Sequence, residues 1–73
     1  MNMISVDIIR KRLSEAIRLS GLSQTEIARQ LGVKQPAIAQ YVSGEIFPAL
    51  DTFANLCEVL DIDPAYILGL SDN

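Results

Sequence analysis

Ser23-Gln24-Thr25-Glu26-Ile27-Ala28-Arg29-Gln30-Leu31-Gly32-Val33-Lys34-Gln35-Pro36-Ala37-Ile38-Ala39-Gln40-Tyr41-Val42-Ser43-Gly44 holds two helical patterns and the corner between them. Ser23 with Glu26 three residues on has the form of a capping box, in which the hydroxyl takes the Glu26 N–H and the carboxylate reaches back to the cap. Ile27, Ala28 and Leu31 then fall on one helical face, and Gly32 suits the positive φ that follows a helix. Pro36 belongs in the first turn of a second helix, where its missing N–H costs nothing, and Gly44 ends that helix. Two short helices joined by Leu31-Gly32-Val33-Lys34 form a tight helix-turn-helix, with small Ala28 letting them cross closely.

Working outward, Ile9, Leu13, Ala16, Ile17 and Ser20 lay a stripe along a first helix from about Val6 to Ser20. Ser5 is its expected N-cap and Gly21 its stop. Beyond Gly44, the loop Glu45-Ile46-Phe47-Pro48 leads to a helix over Leu50 to Leu60, with Leu50, Phe53, Ala54, Cys57 and Leu60 expected inward. Asp63-Pro64 caps a short fifth helix, Ala65 to Leu68, that ends at Gly69. No alternating strand pattern, internal repeat or low-complexity linker interrupts this series. The expected fold is all-α, a compact five-helix domain spanning 1–73 with its core in 6–69.

The 73 residues suffice for one domain, and 49% apolar with 21% charged side chains is a globular composition. Below about 80 residues a core has little margin over chain entropy, so a partner would help. The single cysteine, Cys57, leaves no internal disulfide, which makes a cytoplasmic setting the expectation. Apolar runs such as Ala65 to Leu70 fall far short of the roughly 18 residues of a membrane span. The first residues, Met1 to Val6, lack the basic and apolar regions of a secretory leader. No histidine is present, so common zinc sets and histidine-dependent triads cannot be built, no cofactor is expected, and an enzyme is the weakest class. Ser43, Cys57 and the scattered carboxylates have no visible base or metal partner, and Cys57 reads as a small core residue.

Charge is unevenly divided. Residues 1–34 carry all six basic side chains (Arg10, Lys11, Arg12, Arg18, Arg29 and Lys34) against Asp7, Glu15 and Glu26. Residues 35–73 carry Glu45, Asp51, Glu58, Asp61, Asp63 and Asp72 with no Lys or Arg, and the net charge is −3. A basic first half suits an anionic partner, although uneven solvation of an ordinary surface has the same appearance. The second helix of the central pair carries Gln35, Ala37, Ala39 and Gln40 and no acid to repel phosphate. Amides at a helix start can pair with adenine N6 and N7, and alanine methyls can touch thymine methyls. The plain alternative is that Gln35 and Gln40 are solvated polar positions.

Ser23-Gln24-Thr25-Glu26-Ile27-Ala28, Leu31-Gly32-Val33, Ile38-Ala39-Gln40-Tyr41, Ser43-Gly44, Pro48 and Leu60-Asp61-Ile62 with Tyr66-Ile67-Leu68 resemble the Cro and phage-repressor type of helix-turn-helix, the XRE family. The likeness runs from about Ile9 to Gly69. It implies a lambda-repressor-like DNA-binding domain whose third helix enters the major groove of double-stranded DNA, as a homodimer on an inverted-repeat operator. By resemblance, Gln24 anchors a phosphate and Gln35, Pro36, Ala37 and Gln40 read bases, with Lys34 beside them. Arg10, Lys11, Arg12, Arg18 and Arg29 are then expected to hold further phosphates. No ligand-binding or self-cleaving segment is expected within these residues.

Three departures accompany the likeness. The family commonly pairs an arginine four residues before the glycine after helix one with a glutamate two before the glycine ending helix three, where this chain has Ile17 and Val42. Replacing both members of a buried ion pair by packed apolar groups is often neutral or stabilising, so Ile17 is expected to pack against Val42. The loop after Gly44, commonly basic, is Glu45-Ile46-Phe47, which predicts modest affinity for DNA and a shallow salt dependence. Phe47 and Ile46 either cap the core or, with Ile62, Tyr66, Ile67 and Leu70, form an apolar dimer contact. Lys34 and Ala49 stand where helices three and four would commonly have a capping Ser or Thr. The acidic second half and this loop keep open an alternative, a protein-interaction module of antitoxin or antirepressor-target type, with a regulatory protein as partner.

Overall fold

The computed structural model describes residues 3–72 as five helices: α1 (Val6–Leu19), α2 (Gln24–Leu31), α3 (Gln35–Ser43), α4 (Leu50–Leu60) and α5 (Pro64–Ile67). The leader reading at Met1 and Asn2, and the limit of the domain at Asn73, lie outside the described residues. Among the described residues no helix is long and apolar enough to cross a membrane.

Each boundary has a local cause. Ser5 Oγ accepts the Asp7 N–H at 3.0 Å and Ser23 Oγ accepts the Glu26 N–H at 3.0 Å, satisfying donors that a helix start leaves unpaired. Asp63 Oδ1 accepts the Ala65 N–H at 3.0 Å, so α5 begins at Pro64, one residue before the expected start. Lys34 and Ala49 provide no side-chain cap for α3 and α4. Gly32 closes α2 at φ +71°, a left-handed conformation that lets Val33 donate back to the Ala28 carbonyl at 3.0 Å. Asp61 closes α4 in the same region, at φ 54°, without being glycine.

The capping box is half formed. The Glu26 carboxylate turns outward and accepts from Arg29 Nε at 3.1 Å, from Arg29 Nη2, and from Gln30 Nε2 at 2.7 Å, instead of returning to the cap. Two donors one turn further along the helix outcompete a single backbone N–H.

The helices converge on one core of Leu13, Ile17, Ile27, Ala28, Ile38, Tyr41, Leu56 and Ile67, with no charged side chain buried among the described residues. α3 packs on α1 and α2, α2 packs on α4, and α5 folds back on α1. Ile17 is buried in this cluster and Val42 is half-buried against it. The inward face of α4 is Phe53, Leu56, Cys57 and Leu60, and the expected face needs correction at two places. Leu50 is 87% exposed and Ala54 is exposed. Leu50 is the first residue of α4, and the face centred on Leu56 carries it out past the edge of the contact with α2.

Candidate nucleic-acid interface

Ile38 and Tyr41 face the core from α3, flanked by the half-buried Ala37 and Val42. The opposite side of the helix is therefore the row Pro36, Ala39, Gln40 and Ser43, with Gln35 at its leading edge. Gln35, Pro36 and Ser43 are exposed, and Ala39 and Gln40 are half-exposed. The row carries no carboxylate, and its amides and methyls are the groups that base edges in the major groove accept. Ala39 is expected from the sequence as a methyl contact; Ser43 is not, though stepping seven residues from Pro36 finds it. Ser43 Oγ donates to the Gln40 carbonyl at 3.1 Å. Ala37, expected to read bases, is half-buried and packs against the core beside Ile38 and Tyr41.

At the N-terminal end of the row, Gln35 Nε2 donates to Gln24 Oε1 at 2.7 Å. The first residues of α2 and α3 are thus joined, and each amide fixes the other's orientation. Gln24 keeps its amide N–H2 group for an outside acceptor, beside the unpaired backbone donors of the α2 start. Lys34, exposed at the α3 N-cap, adds a cation at this end. At the other end the stem of Arg10 reaches the α3 cap: a Cβ placed on Gly44, which has φ +79°, would stand 3.1 Å from Arg10 Cδ.

The basic side chains divide into several environments. Arg12 Nη1 donates to the Tyr66 carbonyl at 2.6 Å and the Ser71 carbonyl at 2.9 Å, and its guanidinium carbon lies 4.2 Å from the centre of the Tyr66 ring. Arg12, expected to hold phosphate, thus fastens α1 to the C-terminal segment through Nη1. Arg29 is gripped by Glu26, which raises its pKa, while Arg29 and then Gln30 hold the Glu26 carboxyl below its ordinary range. Lys11 and Arg18, seven residues apart, share the solvent face of α1, and no ion pair holds either among the described residues. None of the described contacts links them to α3.

The apolar candidates separate in a similar way. Ile67 is 1% exposed, so it is a core residue and no dimer contact; a one-turn helix has to commit its inward side chain to the core. Ile62 and Tyr66 are half-buried against the same cluster. Ile46 and Phe47 are about two-fifths exposed and Leu70 is 68% exposed. Cys57 is buried, and desolvation followed by the carboxylates of Asp63 and Glu58 pushes its thiol pKa up, which disfavours the reactive thiolate.

A sequence model of the family described as Helix-turn-helix matches residues 13–67. Three curated relatives are each 43% identical over 37 residues, 51% of this chain and 17% of theirs. They are the HTH-type transcriptional regulators for conjugative element R391 of Providencia rettgeri, for element SXT of Vibrio cholerae and for element pMERPH of Shewanella putrefaciens. The match spans about a sixth of each relative's length. No solved structure gives a significant match.

Proposed function

The chain belongs to the Helix-turn-helix family, and on that premise we propose that it is a sequence-specific DNA-binding transcription regulator acting as a repressor. The observation that carries this reading is the carboxylate-free outer row of α3, Pro36, Ala39, Gln40 and Ser43, led by a Gln35 amide held by Gln24. In the major groove this row meets base edges, with Gln40 and Gln35 as hydrogen-bonding readers and Ala39 as a methyl contact. Gln24 and Lys34 hold phosphate at the start of α3, and Lys11, Arg18 and Arg29 contribute their charge more remotely. The names of the relatives support a regulatory role.

One nine-residue helix reads only a few base pairs, so a useful operator needs two copies of the domain. The chain acts as a homodimer on an inverted repeat, with two α3 helices in successive major grooves about 10 base pairs apart. Of the residues expected at that contact, Ile46, Phe47 and Leu70 are the exposed ones. Occupancy of a promoter then blocks transcription, in the cytoplasm. Selection of bound sequences from a random duplex library at low salt tests the reading. Enrichment of an inverted repeat with this spacing supports it, and enrichment of no sequence at all refutes it.

A second reading is favoured by one observation, the exposed apolar loop beside an acid-only half of the chain. In that reading a regulatory protein docks on Ile46 and Phe47. A folded sample that retains no DNA of any sequence would favour it.

A further inference from the structure

Arg10 is surrounded more specifically than a solvated cation would be. Its stem lies against the C-cap of α3, with Cδ 3.1 Å from where a Gly44 Cβ would stand. Its guanidinium carbon is 5.5 Å from the centre of the Phe47 ring, and Nη1 is 3.3 Å from Asp7 Oδ1. The arginine side chain remains 46% exposed and the aspartate 86% exposed. Ring, glycine and carboxylate thus hold the charge at one end of the outer row of α3, while Lys34 stands at the opposite end. Nine helical residues rise about 13 Å, close to the major-groove width of about 12 Å. Cations at the two ends of such a helix are placed to meet phosphates flanking the groove that holds it.

We propose that Arg10 is a phosphate clamp at the far end of the reading helix, and that Asp7 is its built-in competitor, occupying the guanidinium until a DNA phosphate displaces it. The proposal rests on the DNA-binding reading and adds to it a residue that weakens binding. A carboxylate and a phosphate present the same acceptor chemistry to a guanidinium. A pair this exposed is worth little, so a phosphate set into a dense anionic field exchanges with it readily. Phe47 restrains the guanidinium, so the exchange happens in place. In the parent protein the gain from each new phosphate contact at Arg10 is partly offset by the loss of Asp7. Affinity is thereby held down.

The test measures binding of the purified chain to a short random-sequence DNA duplex between roughly 50 and 200 mM salt. Four proteins are compared: the parent, Asp7→Asn, Arg10→Gln, and the double variant. Glutamine keeps the methylenes beside Gly44, and the Ser5 cap uses the backbone N–H of residue 7, so both substitutions spare the fold. Asp7→Asn is expected to bind roughly two- to fivefold more tightly at the low-salt end. Its salt slope is expected to steepen by up to about 0.9. In the Arg10→Gln background the Asp7 substitution should change binding far less. An equal gain with and without Arg10 would mean simple repulsion of DNA by Asp7 and would overturn the clamp. So would parent-like binding by Asp7→Asn. If neither the parent nor Asp7→Asn binds any duplex, the DNA-binding reading itself fails, and the clamp with it.

Discussion

Arg12 separates a structural cation from a DNA-binding one, and its replacement has a calculable cost. Arg12→Met keeps much of the apolar stem but removes the donor that reaches the Tyr66 and Ser71 carbonyls at 2.6 and 2.9 Å, and the stacking on Tyr66 at 4.2 Å. Hydrogen bonds from a charged donor contribute about 1.5 to 3 kcal/mol, and the half-exposed setting argues for the low end. The cation–π contact adds about 0.5 to 1 kcal/mol. The loss is therefore about 2 to 3 kcal/mol, a large share of the stability of a chain this size. At 4 to 8 °C per kcal/mol for a domain of 60–100 residues, Tm should fall by roughly 10 to 20 °C. Far-UV circular dichroism melts read this directly. The same variant, at a temperature where it is folded, should keep the parent's salt slope for DNA binding. An unchanged Tm together with a slope shallower by about 0.9 would refute the structural role and return Arg12 to the phosphate contacts.

Other variants test the core, a helix end and the acid limb. Ile17→Arg buries an unpaired charge in the core and should destabilise by more than about 3 kcal/mol, and if Ile17 packs on Val42, adding Val42→Glu should recover part of the loss; a parent-like melt for the single variant would contradict the packing. Asp61→Gly relieves a left-handed residue at the end of α4 and should stabilise by about 0.5 to 1 kcal/mol in urea unfolding, whereas a lower midpoint would show that the aspartate is favoured there. The depressed Glu26 pKa implies a stabilising contribution present above the ordinary carboxylate range and lost as pH falls through the folded-state value. Glu26→Gln should accordingly flatten the acid limb of the stability–pH curve, and an unaltered limb would argue against the Glu26 contacts.

The fold was legible because its punctuation is chemical. Ser5, Ser23 and Asp63 cap helices and Gly32 and Gly44 end them, all within a residue of the positions expected from side-chain type alone. The errors came where periodicity gives two answers. The expected and observed faces of α4 share Phe53, Cys57 and Leu60, and only packing, with α2 against α4, selects Leu56 over Leu50 and Ala54. The outer row of α3 is legible at Gln35, Pro36 and Gln40, whose positions follow from the helix start. Ser43, at the far end of the row, carries too small and common a side chain to mark it in a sequence. Contacts across long separations left no trace at all. Nothing local joins Gln24 to Gln35, Arg12 to Tyr66 and Ser71, or Arg10 to Gly44 and Phe47. For that reason a run of three basic residues looked like one phosphate-binding group. Successive helical positions point about 100° apart, and the fold sends Arg10 to α3, Arg12 to α5 and Lys11 into solvent.

The central claim is that the outer row of α3 reads base edges, and Gln40 is the member most able to do so. Parallel selections from one random duplex library, with the parent and with Gln40→Ala, test it most directly. Both proteins should enrich an inverted repeat, with preference relaxed at one position per half-site in the variant, corresponding to about 1 to 3 kcal/mol of lost discrimination. Identical sequence profiles for the two proteins would contradict the claim.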